Sequence, residues 1–218
     1  MSITNEIHRL HQELPSTTKL VAVSKFHPAE AIEEAYAAGQ RIFGESRVQE
    51  LCEKRPLLPQ DIEWHFIGHL QTNKIKQIVP FVSLIHGVDS AKLLGEINKE
   101  GEKIGRVVPC LLQLFVAQEE TKFGLSPSEC RDLVDKRDQY PYVQLCGLMG
   151  MASLTENQTQ IRSEFKLLKS LFDELRLKLN TPYFKELSMG MSQDYALAVE
   201  CGSTMVRIGS RIFGFRQY

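Results

Sequence analysis

The sequence predicts an α/β protein built as a single (β/α)8 barrel, the TIM-barrel architecture, over residues 1–218. Three observations predict it. Eight short apolar runs, each bounded by glycine, proline or polar residues, read as strands. Segments with helical spacing fall between them, and strands that alternate with helices make a parallel sheet. The residues least suited to a core gather at the C-terminal ends of the runs, where such a barrel assembles its site. An open doubly wound sheet is the rival. It would carry a glycine-rich turn directly after its first strand, whereas this chain has Ser24-Lys25-Phe26-His27 there.

The elements follow in order. Ile3, Ile7, Leu10 and Leu14 have helical spacing and lead to Pro15. Residues 20–24 form the first strand. Pro28 suits a first helical turn, Ala29, Ile32, Ala35 and Tyr36 continue it, and Gly39 stops it. Strand two, residues 41–44, is very short. Strands three and four are residues 63–67 and 82–86. A helix over 89–104 carries Leu93, Leu94 and Ile97. Strands five and six are residues 107–116 and 143–148. The clearest helix runs from about Asn157 to Leu179, with Ile161, Phe165, Leu168, Phe172, Leu175 and Leu179 three or four apart. Residues 184–188 and 205–208 complete the set.

Composition bounds the function. A 43% hydrophobic, 24% charged chain can fill one core. A net charge of -1 argues against nucleic acid or an anionic membrane as the main partner. No apolar run approaches the ~20 residues that span a bilayer, and the N-terminus has no secretory pattern. The five cysteines are scattered, odd in number and without CxxC spacing. Reduced thiols in a cytoplasmic protein are expected, with no disulfide frame and no zinc site.

Lys25 is the chemically telling residue. It ends the first apolar run, where partial desolvation would free its amine as a nucleophile. Near the other end lie Leu187-Ser188-Met189-Gly190-Met191-Ser192 and Gly202-Ser203-Thr204-Met205-Val206-Arg207-Ile208-Gly209-Ser210, after strands seven and eight. Barrels commonly bind phosphate there. An amine and a phosphate cradle together suggest pyridoxal phosphate. Blander readings exist: a snorkelling lysine, an arginine in a structural ion pair, glycines that only serve turns. Arg207, flanked by Val206 and Ile208, needs an acceptor in any case. His65 and His69 have i, i+4 spacing, but on a strand and turn that spacing argues little for a metal. Glu33, Glu34, Glu119 and Glu120 read as solvated faces, and Lys122-Phe123-Gly124 follows strand five. Ser24-Lys25 lacks the oxyanion motif that a serine–lysine dyad would need.

Several blocks carry a resemblance. They are Val21-Ala22-Val23-Ser24-Lys25, Phe43-Gly44-Glu45-Ser46-Arg47-Val48-Gln49-Glu50, residues 64–74 from Trp64 to Lys74, Gly147-Leu148-Met149-Gly150-Met151, residues 187–194 and residues 202–209. With them the chain, from about Lys19 to Gly214, resembles the pyridoxal phosphate homeostasis proteins, the YggS/PROSC family. The resemblance implies a barrel like the N-terminal domain of alanine racemase, with pyridoxal 5'-phosphate held by Lys25 as a Schiff base. It implies phosphate contacts at Ser188, Arg207, Gly209 and Ser210, with Arg207 serving the ring, the phosphate or both. Ser46, His69 and Met189 complete the expected cofactor-binding set, and no catalytic or metal residue is expected. The family usually has asparagine where this chain has Ser46, a shorter group without the amide's paired donor and acceptor.

The resemblance implies a carrier that keeps vitamin B6 and amino-acid pools balanced without turnover, with apo-enzymes that need the cofactor as transient partners. The related racemase has a second domain for its chemistry, and none is expected here. An arginine facing the ring nitrogen would also weaken the electron sink. The alternative is an amino-acid racemase or related carbanion enzyme with an open site. The outer helices leave no apolar stripe over, so a monomer is expected.

Overall fold

The computed structural model describes residues 2–116 and 124–214. Its eight parallel strands pair in chain order and close, β8 against β1. They are β1 (Lys19–Val23), β2 (Ile42–Glu45), β3 (Glu63–Phe66), β4 (Leu84–Val88), β5 (Val108–Leu114), β6 (Val143–Gly150), β7 (Glu186–Met191) and β8 (Met205–Ile208). The helices are α1 (Ile3–Glu13), α2 (Ala29–Ala37), α3 (Val48–Lys54), α4 (Ile75–Ile78), α5 (Ala91–Lys103), α6 (Pro127–Asp135), α7 (Gln158–Leu179), α8 (Tyr195–Glu200) and α9 (Ser210–Phe213). The expected barrel is therefore present. Glu119, Glu120, Lys122 and Phe123 lie outside the described residues.

Helix ends follow local chemistry. Asn157 caps α7 by accepting from the Thr159 and Gln160 amides, and Asn180 closes it in the left-handed region. Ser126 and Glu129 form a reciprocal capping box at α6, with Pro127 in the first turn. The long apolar stripe of α7 follows the predicted one: Ile161, Phe165, Leu168, Phe172 and Leu175 are buried, and Leu179 is partly buried against the same core.

Strand alternation sorts side chains between two cores. Ala22, Phe43 and Phe66 face the helices and belong to the large outer core. Val21, Leu84, Leu111, Cys146, Met149 and Met205 form a smaller cluster inside the barrel. Register places Val21 beside Arg207, Gly44 beside His65, His65 beside Leu84, and Ser188 beside Met205. These polar residues therefore share the lumen with the small apolar cluster.

Several strands run further toward the site than expected. β4 reaches Val88, β6 reaches Gly150 and β7 reaches Met191. Glycines read as stops lie inside these strands. At Gly87 the reason is close approach: a Cβ there would stand 2.6 Å from the Gly68 carbonyl oxygen.

Candidate functional site

The C-terminal mouth of the barrel brings the two ends of the chain together. β1 and β8 pair from Lys19 with Met205 to Ala22 with Ile208. The next residues, Val23 and Gly209, lie against one another: a Cβ on Gly209 would stand 3.0 Å from the Val23 carbonyl oxygen and 3.1 Å from its Cβ. Lys25 is the second residue past β1, in a turn, half-buried, on the lumen parity of Val21 and Val23. The Lys25 turn and the Gly209-Ser210 segment thus leave the same end of adjacent strands because β8 closes on β1.

Below them runs a buried polar column. Arg207 is 4% exposed. It donates to the Ser188 carbonyl at 2.9 Å, to Ser188 Oγ at 2.6 Å and to the Gly150 carbonyl at 3.0 Å. Ser188 Oγ lies 3.1 Å from His86 Nδ1, and His86 Nε2 lies 3.0 Å from His65 Nδ1. The direction of this chain follows from its top. A guanidinium only donates, so Ser188 Oγ accepts from it and turns its own proton to His86 Nδ1. A neutral His86 then donates from Nε2 to His65 Nδ1. Burial holds both rings neutral. It pulls His65 down to about 3, with Lys19 adding to the effect. His86 is pulled well below its ordinary value by burial, then by His65 and Arg207.

Arg207 is a buried cation whose acceptors among the described residues are neutral oxygens. Burial brings it down to about 10, and the charge of Asp194 offsets this in part. Such a group is matched to an electron-rich ligand entering from the mouth. At the lumen floor Lys19 is paired instead, with Glu186 at 2.5 Å.

The structure distributes the expected cofactor residues unevenly. Lys25, Gly209 and Ser210 stand at the mouth, and Arg207 lies beneath it. Ser188 is fully buried under Arg207 and acts through it. The hydroxyl beside the rim amides is Ser192, whose Oγ accepts from the Gly209 amide at 3.3 Å. Met189 is a correction to the sequence reading. It is fully buried in the outer core, because alternation along β7 turns it away from Ser188 toward the helices. Ser46 follows β2, half-buried, with its backbone against Gly68. His69 is exposed beyond β3, with Nδ1 2.9 Å from Asp89 Oδ2. It lines a cleft of about 460 Å³ with Gln71, Thr72, Asn73, Ser90 and Lys92, formed by the segments after β3 and β4. His65 points into the lumen instead, so the two histidines do not meet. Among the described residues no three of His, Cys, Asp or Glu are gathered to hold a metal, and no helix is long and apolar enough to cross a membrane.

Sequence reading passed over His86 and a charged cluster behind β1. Glu45 is buried on the outer face, where its Oε1 accepts from Ser24 Oγ at 2.7 Å and from Lys54 Nζ at 2.8 Å. Burial raises its carboxyl above the ordinary range, and Lys54 and Ser24 offset this in part. One signal was available: Val48, Leu51 and Lys54 are three apart, so the lysine shares the buried side of α3.

A closed barrel with a half-buried lysine after β1 and a glycine strap after β8 defines a class of protein. The family model for the alanine racemase N-terminal domain matches residues 1–217. Alanine racemase from E. faecalis superposes with a TM-score of 0.76 at 16% identity, covering 98% of this chain and 57% of the racemase, a likeness of fold alone. Closer relatives narrow the assignment. The pyridoxal phosphate homeostasis protein of Aquifex aeolicus is 42% identical over 201 residues, 92% of this chain and 88% of the relative. PipY of Synechococcus elongatus, solved with and without PLP, superposes with TM-scores of 0.90 and 0.93 at 38% identity, covering 98% of this chain and 100% of PipY. The chain belongs to the pyridoxal phosphate homeostasis protein family.

Proposed function

We propose that this protein holds pyridoxal 5'-phosphate on Lys25 and buffers it, keeping vitamin B6 and amino-acid pools in balance as a carrier rather than an enzyme. The observation that carries the reading is Arg207: a buried guanidinium whose hydrogen bonds among the described residues go to neutral oxygens, beneath a mouth that also holds the half-buried Lys25. The residues present fit the group. Gly209 leaves room that a Cβ would fill against Val23, and PipY, 38% identical over nearly the whole chain, has been solved with PLP bound.

When bound, the cofactor would supply an aldehyde for the Lys25 amine, a phosphate for the rim and a ring-nitrogen lone pair for Arg207. The chain's own residues do the rest. Gly209, Ser210 and Ser192 offer backbone amides and hydroxyls at the rim. Ser188 and Gly150 orient Arg207. His86 and His65, kept neutral, receive the hydrogen-bond chain without adding a second positive charge. Arg207 stays cationic at neutral pH, which disfavours a proton on a ring nitrogen facing it and so restrains carbanion chemistry. Ser46 and His69 stand nearby on the β2 and β3 sides as further contacts. Apo-enzymes that require the cofactor are the expected transient partners, the protein acts as a monomer, and its place is the cytoplasm.

The test is covalent. Purified protein soaked in pyridoxal phosphate and reduced with borohydride should carry the label on the peptide containing Lys25, and Lys25→Ala should carry none. Label on another lysine sinks the reading. Enzyme-like, stereospecific exchange of an amino acid's α-hydrogen in deuterated water would replace the carrier with a racemase.

A further inference from the structure

We propose that Lys54, acting with Glu50, is a positioning residue for Lys25: from behind the barrel the pair holds the peptide group on each side of the Lys25 Cα. The inference rests on Lys25 being the covalent anchor. Lys54 lies at the end of α3 with its side chain 9% exposed. Its ammonium donates to the Ser24 carbonyl at 2.9 Å, to Glu45 Oε1 at 2.8 Å and to Glu50 Oε1 at 2.6 Å. Those three bonds use all its donors. Glu50 Oε1 in turn accepts from the Phe26 amide at 2.5 Å. The Ser24 carbonyl belongs to the peptide entering Lys25, and the Phe26 amide belongs to the peptide leaving it. One helix thus grips both, which fixes the backbone dihedrals of Lys25 between them.

The turn needs such a grip. Phe26 has φ 66°, a left-handed conformation uncommon for a bulky residue. It persists only where the surroundings over-determine it. Arg47 stands over the Phe26 ring at 4.6 Å, and His27 stacks on Phe213 at 5.1 Å. The ionic cluster is itself costly, since Glu45 Oε2 is buried without a hydrogen-bond partner among the described residues. Buried charge clusters are weak stabilisers. A cluster this imperfect, aimed at two backbone groups around a reactive residue, is better explained by placement than by stability.

The experiment uses the full chain and separates capture from anchoring. Glu50 is the first target, because its side chain is 18% exposed and its loss is the gentler change. Glu50→Ala should slow covalent capture of pyridoxal phosphate, followed by absorbance and borohydride mapping, by about tenfold. Glu50→Gln, which keeps an oxygen for the Phe26 amide, should recover most of that rate. Affinity for 4'-deoxypyridoxine 5'-phosphate, which has no aldehyde, should stay within about twofold of the parent in both variants, because the phosphate and ring contacts lie elsewhere. Lys54→Met should slow capture further. Equal capture rates in Glu50→Ala and the parent overturn the proposal, as does a parallel loss of analogue affinity, which would mark a merely structural role. If the parent itself is not labelled at Lys25, the carrier reading fails first and this inference with it.

Discussion

Ser188→Ala tests whether the lumen column holds Arg207 in place. Ser188 is fully buried, and its hydroxyl accepts from the guanidinium at 2.6 Å while facing His86 Nδ1 at 3.1 Å. Loss of a hydrogen bond to a charged group costs about 1.5–3 kcal/mol. Leaving the buried His86 nitrogen without its donor adds about 1 kcal/mol more. The carbonyls of Ser188 and Gly150 still accept from Arg207, so the cation keeps part of its solvation. The expected loss is therefore about 3 kcal/mol, a large share of a typical total of about 5–15 kcal/mol. Ser192→Ala removes one 3.3 Å bond at the half-buried rim and should cost under about 1 kcal/mol. Urea unfolding of the cofactor-free proteins measures both. Ser188→Ala within about 0.5 kcal/mol of the parent would refute the column, since no relaxation around a fully buried cation should be that cheap.

Other outcomes follow from the same geometry. Below about pH 6.5 the unfolded chain binds protons at His65 and His86 that the folded chain refuses, down to about pH 3 at His65, so stability rises with pH there. This contribution is complete above about pH 6.5 and is lost below it at up to about 1.4 kcal/mol per pH unit per histidine. Glu45, raised in the fold, works in the opposite sense around its own range. Urea midpoints from pH 7 to 5 should show the fall, and His65→Gln with His86→Gln should flatten it. Gly209→Ala forces a methyl to within 3.0 Å of the Val23 carbonyl, so β8 and β1 must part by a few tenths of an ångström. The overpacking should cost about 1–2 kcal/mol and weaken retention of pyridoxal phosphate, read by equilibrium dialysis. Ser188→Ala and Glu50→Ala should add within about 0.5 kcal/mol in apo-protein stability, because their networks lie on opposite faces of the sheet; a double-mutant cycle decides.

Much of the architecture was legible because the barrel's signals are local and repeated. Runs such as Leu20-Val21-Ala22-Val23 and the stripe on α7 are set by burial on known faces, and the structure shows both. Strand ends were less legible. Gly87 and Gly190 look like punctuation, yet they lie within β4 and β7, where neighbouring backbone and side chains leave no room for a Cβ. The site divided in the same way. Lys25 and Arg207 stand out as charges in apolar runs. Ser188 and Ser192 are chemically identical, and only their depth along the chain separates them: the first lies inside β7 under Arg207, while the second follows the end of β7 and meets the Gly209 amide. Glu45 and Lys54 looked like ordinary polar residues because their partnership crosses from β2 to α3 and back to Ser24.

Two polar systems on opposite faces of one sheet serve one mouth, each through its own residue. Inside the lumen, the hydrogen-bond direction set by Arg207 runs down through Ser188 and His86 to His65, so the cation is fixed from below. Outside, Lys54 and Glu50 hold the Ser24 and Phe26 peptide groups, so the lysine is fixed from behind. Neither system needs the other, because the wall of β1 and β2 separates them. A barrel is suited to this division: each strand presents one set of side chains to the lumen and the other to the helices. The same alternation that built two hydrophobic cores leaves each face free to carry its own polar device. One device places the charge that a ligand would meet, and the other places the amine that would hold it.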